Sequence, residues 1–157
     1  NKTAEGARLV ARRLLVKAAA RLRREGFLAR SLHLSLRLED GGRPRREGQI
    51  KATQDTFFLL QTLDRYWDSL TIRRPKGVSV VLGGLLPVGQ ETGDLFDPPP
   101  PSGPQAARGD LCLAIDALNQ RFGQDTVRFG QLPPHRVPYT GAKIAFGRIP
   151  VAEDFQE

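Results

Sequence analysis

The order of hydrophobic patterns along this chain predicts an α+β fold: an antiparallel sheet with two helices on one face, followed by a small α/β extension. Three observations carry the prediction. A helical apolar period from Ala4 to Glu25 leads straight into a strictly alternating segment, Ser31 to Leu38. A turn rich in glycine and proline then joins that segment to a second alternating one, Gln49 to Thr53. A further helical period and a strand beginning near Gly77 complete the order helix, strand, strand, helix, strand. That is a split βαβ layout lacking its first strand. Residues 1–86 form the sheet domain, 87–109 a proline-rich linker and 110–157 a C-terminal extension.

In the first helix Ala7, Val10, Ala11, Leu14, Leu15, Ala18 and Leu22 fall on one stripe, and Arg12, Arg13, Lys17, Arg23 and Arg24 fall largely outside it. Most of these cations read as a solvated face. Those nearest Gly26, the expected C-terminal stop, are placed to reach a phosphate. In the next segment Leu32, Leu34, Leu36 and Leu38 point one way and Ser31, His33, Ser35 and Arg37 the other. The leucines need a covering layer, which the helix supplies. The opposite face is read as polar without being acidic. His33 has no second histidine nearby, so it reads as a half-exposed strand residue rather than a metal ligand.

Residues 39–48 read as a loop with Arg43, Arg45 and Arg46 clustered at its tip. On the returning strand Ile50 and Ala52 face in, and Gln49, Lys51 and Thr53 face out. Thr53 or Asp55 caps the second helix, whose stripe is Leu59, Leu60, Leu63, Tyr66, Trp67 and Leu70. Trp67 sits among leucines and reads as core. Arg73, Arg74 and Lys76 make a short basic turn before the last strand, in which Val78, Val80 and Leu82 oppose Ser79 and Val81. Pro98 to Pro101 stiffen the linker. A third helix is expected from Asp110 to Phe122 on the stripe Leu111, Ile115, Leu118 and Phe122, with short strands at Thr126–Phe129 and Lys143–Phe146.

The net charge of +7 hides an asymmetry. Residues 1–89 carry 18 Lys and Arg against 8 Asp and Glu, and residues 90–157 carry 6 against 9. A basic half joined to a mildly acidic one argues for a polyanionic partner held by the first half. Fourteen of the 18 cations are arginines, whose guanidinium fork matches phosphate geometry. The exposed sheet face would carry Ser31, His33, Ser35, Arg37, Lys51, Thr53 and Ser79, small hydroxyls and cations that let a phosphate backbone approach closely.

Catalysis is not expected of these residues. There is no phosphate-cradling glycine loop ending in Lys-Ser/Thr and no nucleophile elbow, and the carboxylates are scattered rather than convergent. Cys112, the single cysteine, rules out an intramolecular disulfide and a cysteine-based zinc cluster, in keeping with a cytoplasmic location. No apolar run is long enough to span a bilayer, so no membrane partner is expected. The chain begins at Asn1 and has no methionine, and a piece of a longer chain is expected.

The run Leu14-Leu15-x-Lys17-Ala18-Ala19-x-Arg21-Leu22-Arg23-Arg24-x-Gly26, the strand Leu32-x-Leu34-x-Leu36-Arg37, the helix with Asp55 and Leu63, and Gly77-Val78 resemble the C-terminal "little finger" domain of Y-family translesion DNA polymerases, the UmuC/DinB type. The pair Leu95–Phe96 and the segment Ile115-Asp116-x-Leu118-Asn119-x-Arg121-Phe122-Gly123, followed by Thr126-Val127, look like the C-terminal extension of the bacterial UmuC-like branch. The resemblance covers most of the chain and rests on the order of its motifs. It implies a four-stranded sheet backed by two helices that grips primer–template DNA through phosphates during damage bypass, DNA repair and the SOS response. On that reading Ser31, His33, Ser35, Arg37, Arg43, Arg45, Arg46, Lys51, Thr53, Arg73, Arg74, Lys76 and Ser79 meet DNA. The metal-binding carboxylates, with Mg²⁺ if the parent is active, belong to a palm domain outside this chain, so no cofactor is expected here.

Two departures stand out. The family's first strand would precede Asn1, so either the C-terminal region fills its place or that sheet edge is bare. The family's sliding-clamp peptide has the form Gln-x-x-Leu-Phe, but here Thr92 holds the glutamine position and Gln90 lies two residues early. Gln90, Leu95 and Phe96 form either a clamp contact or an apolar pair tacked onto the domain surface. Two further readings compete with the duplex grip. One is a protein-interaction module of a catalytically inactive homologue recruiting the clamp or a partner polymerase. The other is an RNA-binding ferredoxin-like domain, disfavoured because no aromatic sits at the strand centres where bases would stack.

Overall fold

Helix α1 (Ala4–Glu25) starts and stops where its sequence signals lie. Thr3 is extended and its Oγ1 accepts the Gly6 N–H at 3.1 Å. Gly26 ends the helix at φ 75°, a left-handed conformation that a Cβ disfavours. The structure, a computed structural model, describes residues 3–89, 104–124 and 126–130. Within them lie three helices and a four-stranded antiparallel sheet, the α+β fold expected.

Strand β1 (Phe27–Leu38) is longer than its alternation suggests. The pattern changes phase near Arg30: Leu28 and Ala29 are both buried, Arg30 is exposed and Ser31 is buried. Strict alternation is legible only beyond that irregularity. Strand β2 (Arg45–Thr53) begins four residues before the expected Gln49. The loop therefore shrinks to Glu39–Pro44, and Arg45 and Arg46 belong to the ladder rather than to a loop tip. The Leu36 N–H donates to the Pro44 carbonyl and the Leu38 N–H to the Gly42 carbonyl, drawing the hairpin tight. An edge strand solvated on its outer side needs no apolar residue in its first turns, so Arg-Arg-Glu-Gly carries no strand signature.

Strand β3 (Pro75–Gly83) pairs with β1 on the other side, giving the order β2-β1-β3 with β1 central. Strand β4 (Leu86–Pro87) pairs with Leu28 and Phe27. It continues the β3 ladder in the same register, since Ser31 faces Gly83 and Leu28 faces Leu86. The break between them is the kink at Gly84, φ 60°, where the Arg30 guanidinium donates to the Gly84 carbonyl at 2.9 Å. Among the described residues no strand pairs with the outer edge of β2 or of β3.

Helix α2 (Thr56–Asp68) is capped by Asp55, whose carboxylate accepts the Phe57 N–H at 2.9 Å. Both helices contribute to one core with Leu32, Leu34, Leu36 and Leu38 of β1. Leu15 of α1, Leu59 and Leu63 of α2 and Leu32 and Leu34 of the sheet are almost wholly buried, and Trp67 is core as expected. Gly48 opposes Leu32 on the helix side, and the Tyr66 hydroxyl fills the space where a Cβ would stand.

Helix α3 (Pro104–Phe122) starts inside the stretch read as linker, with a proline at its first position. Cys112, Ile115 and the following Phe129 join the same core, and the Phe129 ring meets Phe57 edge-on at 5.2 Å. The expected stripe is only partly buried. Of its four members only Ile115 is buried; Leu111, Leu118 and Phe122 are exposed, and Cys112 turns inward beside Ile115. Thr126–Phe129 is a bend, not a strand. Its place is fixed by Asn119, whose side chain donates to the Val127 carbonyl and accepts the Val127 N–H. The strand expected at Lys143–Phe146 lies outside the described residues. No described helix is long and apolar enough to cross a membrane.

Candidate nucleic-acid interface

The two helices cover one face of the sheet, so the residues of β1 with odd numbers from His33 onward, and their partners, form the other. In an antiparallel pair directly opposed residues share a face. His33 is flanked by Glu47 and Val81, Ser35 by Arg45 and Ser79, and Arg37 by Gly77. The face follows from the alternation that buries the leucines, because a strand with four inward leucines must point its intervening residues outward.

One irregularity adds a cation. Arg37 pairs with Gly77 but Leu38 pairs with Pro75, so Lys76 is an extra residue on β3. A bulge of this kind re-aims a side chain that alternation would turn towards the helices. Lys76 accordingly joins Arg37, Arg43 and Arg45 in lining a shallow open groove, with Ser35 and Ser79 on its floor. None of these four cations forms an ion pair with an acidic residue among the described residues.

The contrast with α1 is sharp. Arg8 reaches Asp64 at 3.0 Å and Asp68 at 3.3 Å, and Arg12 shares Asp64. Arg23 was expected near a phosphate because it lies close to Gly26. Its side chain is instead only 2% exposed. Its Nε and Nη2 donate to the two oxygens of Asp116 on α3, and its Nη1 donates to the Gln54 carbonyl and to Thr56 Oγ1. A buried guanidinium demands such partners, so these arginines tie helices together. The cations of the groove have no such bonds.

The predicted residues divide accordingly. Ser35, Arg37, Arg43, Arg45, Lys76 and Ser79 are brought together. His33 stands beside them and Lys51 is exposed further along β2. Ser31 is 5% exposed, with its hydroxyl against Gly83, and offers nothing to a ligand on that face. Thr53 Oγ1 accepts the Asp55 N–H, as part of the turn into α2. Arg46 opposes Leu34 and so belongs to the helix side of the sheet. Arg73 and Arg74 lie exposed in the turn before β3, outside the groove lining. Gln90, Leu95 and Phe96 lie outside the described residues.

The sequence reading missed Glu47. With residues 39–48 taken as loop, the open face held no acid. The longer β2 puts Glu47 opposite His33, where its carboxylate lies 2.9 Å from His33 Nδ1. Continuing the period of Gln49 and Lys51 backwards by one step would have found it. Among the described residues no three His, Cys, Asp or Glu side chains gather as a metal site.

Comparison with known families matches residues 2–95 to the model described as the impB/mucB/samB family C-terminal domain. A search of the curated proteins found no match.

Proposed function

From the premise that the chain belongs to the impB/mucB/samB C-terminal domain family, the little finger domain of UmuC/DinB-type Y-family polymerases, we propose that its open sheet face grips primer–template duplex DNA by the phosphates during damage bypass. The observation that carries this reading is the gathering of Arg37, Arg43, Arg45 and Lys76 around Ser35 and Ser79 in one groove without acidic partners. Unpaired guanidinium groups on a strand surface keep their forks for bidentate phosphate contacts. Serine hydroxyls between them add hydrogen bonds without blocking the approach of the sugar–phosphate chain. The groove floor has no aromatic platform on which an unpaired base would stack, which favours a duplex read through its backbone.

Contacts of this kind release counterions. Four phosphate contacts give a slope of about −3.6 in log affinity against log salt, so raising salt from about 50 to 200 mM lowers affinity on the order of 100-fold. Fluorescence anisotropy on a labelled primer–template measures this directly. The variant carrying R37A, R43A, R45A and K76A is expected to flatten the slope while its circular dichroism stays unchanged. An affinity nearly independent of salt, or equal in the parent and that variant, would refute the reading.

A further inference from the structure

We infer that Glu47 is a positioning residue on the sheet face: its charge disfavours phosphates at the centre of that face and biases the bound strand towards the cationic groove at the hairpin end. The inference rests on the phosphate-binding reading above.

Charge along the face is not uniform. At the hairpin end stand Arg37, Arg43, Arg45 and Lys76. The next row inward is Glu47, His33 and Val81, and the row after that Gln49, Ser31 and Gly83. Neither row contains Lys or Arg, and the next cation on this face of β2 is Lys51, roughly 20 Å from Arg45 at the rise of an extended strand. Glu47 is 61% exposed at its side chain, with a carboxylate oxygen 2.9 Å from His33 Nδ1, so its carboxylate stands at the surface and not under it. Two residues along the same face of β2, it lies about 7 Å from Arg45. A phosphate chain leaving the groove along β1 would meet this anion first. A phosphate about 8 Å from a unit negative charge in water is disfavoured roughly two-fold, and two successive phosphates roughly four-fold. Over the same distance salt at physiological strength screens much of the repulsion.

The competing explanation is that Glu47 serves only as the cross-strand partner of His33, a contact of small worth to the sheet. Glu47→Gln separates the two, because the amide oxygen still accepts from His33 while the charge is gone. On the full chain, Glu47→Gln is expected to tighten binding to a primer–template about two- to three-fold near 50 mM salt, with the gain shrinking towards 200 mM. Glu47→Arg is expected to make the salt slope steeper by about one further phosphate contact, a change that a sheet-stabilising role would not produce. Thermal melts accompany both variants and are expected to match the parent. If both variants bind within about 1.5-fold of the parent, or more weakly, while the groove variants lose affinity, the inference about Glu47 is wrong and the groove reading stands. If the groove variants bind as well as the parent, the groove reading falls, and Glu47 with it.

Discussion

Removing Asp116 should unfasten α3 from the rest of the molecule. The Arg23 side chain is 2% exposed and Asp116 27% exposed, so the pair is desolvated mainly on the arginine side. In Asp116→Ala the guanidinium loses the acceptors of Nε and Nη2, and keeps only the Gln54 carbonyl and Thr56 Oγ1 on Nη1. Breaking a buried pair from one side destabilises by about 3–5 kcal/mol. The two surviving hydrogen bonds, and the access of water where the carboxylate stood, place this case at about 3 kcal/mol. For a chain of this size that lowers the melting temperature by roughly 6–12 °C. Arg23→Met removes the charge but strands the Gln54 carbonyl and the Thr56 hydroxyl, and should also destabilise, by about 2 kcal/mol. The double variant should lose clearly less than the sum of the two, because each single change removes the same interaction. Urea unfolding of the four proteins supplies the cycle. A loss below about 0.5 kcal/mol for Asp116→Ala, the value of an exposed pair, would refute the buried lock and the docking of α3 through it.

Three further outcomes are expected. Leu34→Ala, at a fully buried site, should cost about 3 kcal/mol in urea unfolding, and Val81→Thr, half-exposed on the opposite face, less than about 0.5 kcal/mol. A cost for Leu34→Ala no larger than that for Val81→Thr would refute this assignment of the two faces. Gly26→Ala forces a Cβ into the left-handed conformation at φ 75° and should destabilise by about 1 kcal/mol, although nothing lies near enough to clash. Asp64→Asn should weaken the fold by about 1 kcal/mol, with the effect fading in high salt, because the Arg8 and Arg12 pairs it makes are partly solvated.

Much of the sheet domain was legible because its signals are local. A helix that ends at Gly26 and a strand with leucine at every second position each declare themselves within a few residues. The two faces of β1 follow from a period of two, and with them the outward positions of Ser35 and Arg37, as the same period on β3 gives that of Ser79. What failed depended on partners distant in sequence. Arg45 and Arg46 carry no strand pattern of their own, and they are strand because β1 offers them a ladder. Lys76 joins the groove through a bulge, which is a mismatch between two strands and is invisible in either alone.

Helix α3 shows the division most plainly. By itself its sequence marks a helix and an apolar stripe through Leu111, Ile115, Leu118 and Phe122, and local periodicity can determine no more than that. The docked helix keeps Ile115 inward, turns Cys112, Asp116 and Asn119 towards the body of the protein with it, and leaves Leu111, Leu118 and Phe122 in solvent. Desolvated polar groups decide the rotation. Arg23 has to find a carboxylate and the backbone of Val127 has to find hydrogen-bond partners, and leaving a buried charge unpaired is more unfavourable than exposing leucine. Sequence alone determined the order of helices and strands from Ala4 to Gly83. The register of the strands, the pairing of the arginines and the face each helix buries were decided only when distant residues met.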